Sequence, residues 1–238
     1  MHFSPLAPKS FIDTKDFRND VKKMSEIAGN EVKEVHILGG EPLLHPELIK
    51  LLKTARYYFP NADVMLISNG ILVLKQKPEF WRTLQKYQIH LSVTEYPLDI
   101  NYQQITRLTQ KFGVKYSFYA PSKENSQWHL PLDLKGEQDA DYSFANCSKN
   151  NNCTNINIYR GKLYVCPVIA YVKYFNNFFN KNLEVTEDDY LTVKNIKDID
   201  EIKDYISSSK PFCKYCNIDS RTFDNKWEVS CKDIQEWV

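Results

Sequence analysis

Residues 35–46 read VHILGGEPLLHP, and the fold turns on how this stretch is understood. Residues 35–38 are a short apolar run with β-branched members, the composition of a buried strand in a parallel sheet rather than a half-exposed one. The chain has only seven glycines, yet Gly39 and Gly40 stand together at the carboxyl end of that strand. Glycines there serve one of two purposes: a backbone with positive φ, or a peptide edge left bare for something to approach. Pro46 then opens a helical pattern. A tight strand-to-helix turn accounts for the same residues, and one glycine-rich turn is a weak sign of function. The surroundings decide.

Outward from this point the chain alternates between helical and strand patterns. Residues 14–29 carry apolar side chains at helical spacing and end on Gly29, a C′ glycine. Residues 46–59 put Leu48, Leu51, Leu52 and Ala55 on one helical face, and residues 63–67 form a second apolar strand, closed by Ser68-Asn69-Gly70. A helix over 77–88, a strand over 90–94, a helix over 101–112 and a strand over 114–119 follow. Strands that begin near 35, 63, 90 and 114 are spaced as βα units with short loops, which implies an α/β fold with a parallel sheet and right-handed crossovers. Ligands on such sheets bind beyond the carboxyl ends of the strands. Gly39-Gly40-Glu41, Ser68-Asn69-Gly70 and Thr94-Glu95 all fall on that rim.

Past residue 120 the rhythm stops. Residues 121–147 are polar and without period, and read as a connector. A hairpin around Gly161 follows, then a helix whose aromatic face (Tyr171, Tyr174, Phe175, Phe178) reads as the core of a small domain, an acidic segment, a helix near 198–208 and a final helix carrying Cys231. The expected organisation is a (β/α) domain over 1–122, a connector over 123–146 and a small cysteine-rich α+β domain over 147–238.

Composition narrows the function. With 42% hydrophobic and 26% charged residues, 238 residues can bury a substantial core. A formal net charge of +1 argues against a protein built for nucleic acid. No apolar run approaches the roughly 18 residues of a membrane span, and MHFSPLAPKS lacks the pattern of a signal peptide, so no membrane partner is expected and the cytoplasm is the expected compartment. Thiols there stay reduced, so the six cysteines read as metal ligands, catalytic groups or core fillers rather than three disulfides.

All six cysteines lie after residue 146: Cys147, Cys153 and Cys166, then the C-x2-C pair Cys213 and Cys216, then Cys231. A C-x2-C turn lets two thiolates reach one metal, and the hairpin that ends on Cys166 can deliver a third. Spacing alone leaves zinc, an iron–sulfur centre and simple burial open. Cys231 has no paired neighbour and is not expected to be a ligand.

Two strands joined in this way, the first entering Gly-Gly-Glu-Pro and the second ending in Ser-Asn-Gly about thirty residues on, resemble the radical S-adenosylmethionine (SAM) enzymes over residues 2–120. That resemblance implies a partial (β/α)6 barrel. It further implies that Gly39, Gly40, Glu41 and Pro42 hold the methionyl amino group of SAM, with Ser68, Asn69, Ser92 and Thr94 near the ligand and His45 only entering a helix. A first cysteine, Gly161-x4-Cys166, a long gap and a C-x2-C resemble the SPASM or twitch appendage, which implies that Cys166, Cys213, Cys216 and one or both of Cys147 and Cys153 supply the ligands of an auxiliary [4Fe-4S] cluster, with zinc as the alternative. The family's activity is hydrogen-atom abstraction from a small molecule, here a sugar or polyol, or from a peptide, with a flavodoxin- or ferredoxin-like electron donor.

The family's C-x3-C-x2-C loop, which follows its first strand and binds the SAM-cleaving [4Fe-4S] cluster, has no counterpart here, because the chain opens on HFSPLA, which looks like the sequence just past that loop. The expectation is therefore a barrel that lacks its first strand and cluster loop, a cluster present only in a longer form, no reductive cleavage of SAM by these residues, and residues 35–38 at the sheet edge. A zinc- or cluster-stapled binding module without catalysis is the competing reading. A glycosyltransferase-like protein is disfavoured, since no Asp-x-Asp follows a strand.

Overall fold

The computed structural model describes residues 3–119, 126–147, 156–226 and 228–238. They form two compact units: Phe11–Asn125, and Met1–Ser10 together with Ser126–Val238. The expected organisation places residues 1–122 in one domain, 123–146 in a connector and 147–238 in a second domain. The structure instead returns the first ten residues to the cysteine-rich unit.

The first unit alternates helix and strand: α1 (Thr14–Ala28), β1 (Glu34–Ile37), α2 (Leu48–Tyr58), β2 (Asp63–Ser68), α3 (Pro78–Lys86), β3 (His90–Thr94), α4 (Tyr102–Phe112) and β4 (Tyr116–Tyr119). Asp13 caps α1 by accepting from the Lys15 and Asp16 amides, and Gly29 closes it at φ 45°. Asn101 caps α4 through the Gln104 amide, and Gly113 ends it in the left-handed region. The four strands pair in parallel in the order β1-β2-β3-β4. The expected α/β class and parallel pairing are thus present.

Alternation along each strand separates two faces. Ile37, Val64, Leu66, Leu91 and Val93 point to one side and form a single buried cluster with Leu48, Leu52 and Ala55 of α2, Phe80, Trp81 and Leu84 of α3, and Ile105 of α4. The opposite face carries Met65 and Ile67 beside a polar cluster. His90 bridges Asp63 (3.2 Å from Nδ1) and Ser117 (2.8 Å from Nε2), and Ser117 Oγ lies 3.2 Å from Ser92 Oγ. Lys115 donates to Asp63 at 2.6 Å.

Two details of the opening stretch differ from expectation. Strand β1 is an edge, as expected, but it is half-buried: only Ile37 is inaccessible, and Leu38, just beyond it, is 44% exposed. An edge strand has one neighbour, so an apolar run there need not be covered on both sides. Pro42, not Pro46, begins the first turn (Pro42–Leu44), and α2 starts at Leu48 after His45 Nδ1 accepts from the Glu47 amide. His45 is accordingly a helix-entry residue.

The second unit contains β5 (Ser126–His129), α5 (Ala140–Ala145), β6 (Asn157–Tyr159), β7 (Lys162–Tyr164), α6 (Pro167–Phe179), β8 (Leu191–Thr192), α7 (Ile199–Ile206) and β9 (Thr222–Lys226). The hairpin turn at Arg160 and Gly161 has positive φ at both residues (50° and 73°), the geometry of a type I′ turn. Antiparallel pairing gives β6-β7-β8 and β5-β9. The supposed connector is structured: β5 pairs with β9, Leu132 bridges Cys216, and the Asp133 and Gln138 amides donate to the Tyr215 and Lys214 carbonyls. Its partners lie some 80 residues away, so no local period marks it. The core contains Phe3, Phe175, Phe212, Tyr215 and Trp237. Phe175 is fully buried, whereas Phe178 is half-exposed. The expected last helix is only the single turn Ile234–Glu236, and Cys231 is exposed, its thiol 3.1 Å from Glu236 Oε1. Among the described residues no helix is long and apolar enough to cross a membrane.

Burial raises the Asp63 carboxyl, but the hydrogen bonds and charges of Lys115 and His90 outweigh it, so its pKa lies below the ordinary value. A depressed carboxylate stabilises above its unfolded pKa of about 3.9 and loses that contribution as the pH falls through the lower folded value. Because Lys115 is largely exposed, the contribution is on the order of 1 kcal/mol or less. Asp63→Asn is expected to lower the unfolding free energy by that amount at pH 7. The difference from wild type should begin to shrink below about pH 4 and disappear only below the depressed pKa of the folded Asp63, as read by urea unfolding at pH 7 and through the acid range; a pH-independent difference would contradict the linkage.

Candidate functional site

The rim of the parallel sheet is built by one carboxylate. The loop after β1 carries Gly39 and Gly40 to Glu41, which is extended (φ −140°, ψ 110°) and caps the turn Pro42–Leu44. Glu41 Oε1 accepts from the Leu43 amide at 3.0 Å and from Ser68 Oγ at 2.9 Å, while Oε2 accepts from the Asn69 amide at 2.9 Å. Three of about four lone-pair sites are thus filled, and the ends of β1 and β2 are held side by side. Ser68 Oγ also accepts from the Gly70 amide, and Asn69 Oδ1 from the Ile71 amide.

The glycines behave differently. Gly70 sits at φ +84°, and a Cβ there would lie 2.9 Å from Val93 Cγ1, so this turn admits only glycine without strain. Gly39 and Gly40 do not have positive φ. A Cβ on Gly39 would meet nothing within 4 Å. Positive φ therefore does not account for the pair, and beside Gly39 the space is open.

Thr94 ends β3 and is half-buried, but Ser92 is 1% exposed and turned to Ser117 on the face opposite Val93. Glu41, Pro42, Ser68 and Asn69 are brought together, and Ser92 is not part of that bonded set. Sequence reasoning missed Tyr96, which lies past the end of β3. Burial first, then the nearby Glu41 carboxylate, raises its phenol pKa. Only its position on the third strand end could have signalled it.

The cysteine-rich unit gathers four thiols in one electrostatic neighbourhood. Cys147 follows α5, with its amide on the Phe144 carbonyl; Cys166 is the N-cap of α6 and ends the hairpin; Cys213 lies within the turn Pro211–Tyr215 and Cys216 caps its end. Burial pushes the Cys213 thiol up to about 11, with further upward pressure from the charges of Cys166, Cys147 and Asp189 against the lowering effect of the Lys210 backbone contact. Cys216 is raised well above the ordinary thiol range by burial, then by Cys166, Cys213 and Cys147. Cys153 lies outside the described residues. Among the described residues no three Cys, His, Asp or Glu side chains stand at metal-ligand spacing. The donor set suits a soft cation in its chemistry, but among the described residues it is not arranged as a ligand sphere.

Two further residues shape this site. Asp189 is fully buried and accepts from the Thr186 amide (2.8 Å), Thr186 Oγ1 (3.1 Å) and the Phe212 amide (2.8 Å), so it fixes the turn that bears Cys213. Its signal was legible: Thr186-x-x-Asp189 is a capping-box pattern. Lys210, 3% exposed, had no comparable signal.

The two glycines give a paired prediction. Gly70→Ala is expected to cost about 1–3 kcal/mol through its left-handed backbone and the Val93 contact, whereas Gly39→Ala should stay within about 0.5 kcal/mol of wild type. Thermal or urea unfolding reads both, and equal losses would show that the fold itself needs Gly39. In comparisons with known proteins, no family model matches the chain and no curated protein is detectably similar to it.

Proposed function

We propose that this chain is a radical SAM-type protein whose sheet rim binds S-adenosylmethionine and whose cysteine-rich unit holds an iron–sulfur centre. The observation that carries the reading is the rim itself: a bare peptide edge at Gly39 beside a carboxylate that ties two strand ends together. Peptide groups left open there can pair with the amino-acid portion of the ligand, and the Glu41 carboxylate complements its ammonium. The unreversed strand order supports a partial barrel. Right-handed crossovers that always step in one direction place every helix on one face, as in (β/α) barrels, whereas a doubly wound sheet needs a reversal.

Cys166, Cys213, Cys216 and Cys147 would hold the metal centre, with Cys153 as a further candidate. Such a centre supplies one-electron chemistry when bound. The fold's contribution is to bury the thiols and fix the turn that presents them. Residues 11–125 contain no cysteine, so the unit that carries the rim has no ligands for a SAM-cleaving cluster, and reductive cleavage is not assigned to it. That same fact favours the second reading, a binding module that holds SAM or a related nucleoside without turning it over. A sugar, polyol or peptide substrate and a flavodoxin- or ferredoxin-like donor belong to the catalytic reading alone.

Two measurements test the proposal. Calorimetric titration with SAM is expected to show binding to the wild type and about tenfold weaker binding to Gly39→Ala, a loss of ~1.4 kcal/mol without loss of fold. Absent binding, or equal affinity in the variant, would refute the rim assignment. Anaerobically prepared protein should contain iron and sulfide, and the Cys213→Ala/Cys216→Ala variant should lose both. Stoichiometric zinc without sulfide would instead establish the stapled binding module.

A further inference from the structure

The helical side of the (β/α) unit carries a groove that shares no residue with the rim. It is lined by residues of α1 and α2 and by Tyr87, just beyond α3, and has a volume of about 520 Å³. That size lies in the range of small-molecule pockets. Its wall has two kinds of surface. Arg18 of α1 with Lys50 and Lys53 of α2 supply cations, while Tyr57, Tyr58 and Tyr87 supply aromatic rings. Among the described residues no carboxylate lines it. Three cations in one groove are a marked local excess in a chain whose formal net charge is only +1.

The charges of this groove are answered unevenly. Lys50 donates to Thr14 Oγ1 at 2.8 Å and to Glu47 Oε1 at 3.2 Å, and the Asp13 carboxylate also acts on it. Arg18 and Lys53 have neutral partners instead: Arg18 Nε donates to the Tyr58 hydroxyl at 3.4 Å, and Lys53 Nζ lies 5.5 Å from the centre of the Tyr87 ring. Among the described residues neither forms an ion pair. Both are exposed, so an arriving anion meets them without a buried partner to displace. Beside them Tyr57 is 75% exposed and meets Tyr58 edge to face, 4.9 Å between ring centres. A tyrosine has few rotatable bonds, so it engages a ligand at low entropic cost, and its open face is a platform for a second ring.

We propose that this groove binds a nucleoside phosphate, with the phosphates on Arg18 and Lys53 and the base against Tyr57. A simple anion would use the cations alone and a neutral nucleoside the ring alone. A ligand that joins a ring to a phosphate uses both surfaces at once. The phosphate contacts are charge-assisted, and because the cations are exposed, binding weakens as salt rises. The site is separate from the proposed SAM rim, since none of its residues takes part in the Glu41 bonds.

The test titrates the full chain calorimetrically at low salt with three probes: ADP, inorganic phosphate and adenosine. ADP is expected to bind more tightly than either part. Tyr57→Ala should weaken ADP about tenfold and leave phosphate unchanged. The double variant Arg18→Gln/Lys53→Glu should weaken ADP and phosphate alike, by about tenfold or more. Gly39→Ala, at the rim, should leave ADP affinity as in wild type, which separates this site from the proposed SAM site. Absent ADP binding, or equal affinity in all variants, overturns the inference. Phosphate bound as tightly as ADP, with no effect of Tyr57→Ala, marks an anion site without base recognition and overturns it too. Loss of ADP binding in Gly39→Ala would move the nucleotide to the rim, and preference for a glutamate-rich peptide over ADP would make the groove a protein-docking surface; either result refutes the proposal. Should the double variant fail to fold, Tyr57→Ala, a change at an exposed side chain, decides alone.

Discussion

The Glu41 carboxylate accepts from the Leu43 amide, the Ser68 hydroxyl and the Asn69 amide, and through these three bonds the loop after β1 is locked to the tip of β2. The bonds are possible only because adjacent strands run parallel and present their carboxyl ends on one side. Beside this anchor Gly39 leaves room for a side chain. With the carboxylate holding the loop, Gly39 can remain an open stretch of main chain, while the tight geometry falls to Gly70 one strand away.

The same division explains what could be read in advance. Helices α1 to α4 and strands β1 to β4 were legible because their buried residues recur with a period and their breaks carry Gly29, Gly113 or Ser68-Asn69-Gly70. The rim was legible because strand ends and turn residues coincide. Residues 126–147 were not, since their stabilising contacts are made with 213–226 and leave no mark on neighbouring positions. Ser92 lies on the face away from the helices, together with Thr94. On a strand, one residue's shift exchanges faces, and Ser92 faces Ser117 while Val93 faces the helices.

In the cysteine-rich unit, polar groups rather than apolar packing fix the details around the thiols. Asp189 holds the Phe212 amide, the Ser143 hydroxyl donates to the Cys216 carbonyl at 3.0 Å, and the Tyr205 hydroxyl donates to the Asp189 carbonyl at 2.6 Å. Each of these bonds joins segments far apart in the chain. Buried polar networks of this kind are costly when incomplete, so they favour a single arrangement of the turn. C-x2-C spacing and the Thr186-x-x-Asp189 box are both visible in the sequence, whereas the Ser143 and Tyr205 contacts follow no local pattern.

Phe3 lies 6.4 Å from Trp237 and 5.6 Å from Phe175, ring to ring. The unit to which they belong is interrupted by Phe11–Asn125, so the intervening (β/α) segment is an insertion in the topology of the other. During synthesis, that insertion has all of its own residues long before its host does. The aromatic cluster must wait for Trp237, and a chain caught in between displays Phe3 and Phe175 without their partner. The contacts of Phe3 with Phe175 and Trp237 span most of the chain, so this half bears the larger loop-closure cost of folding.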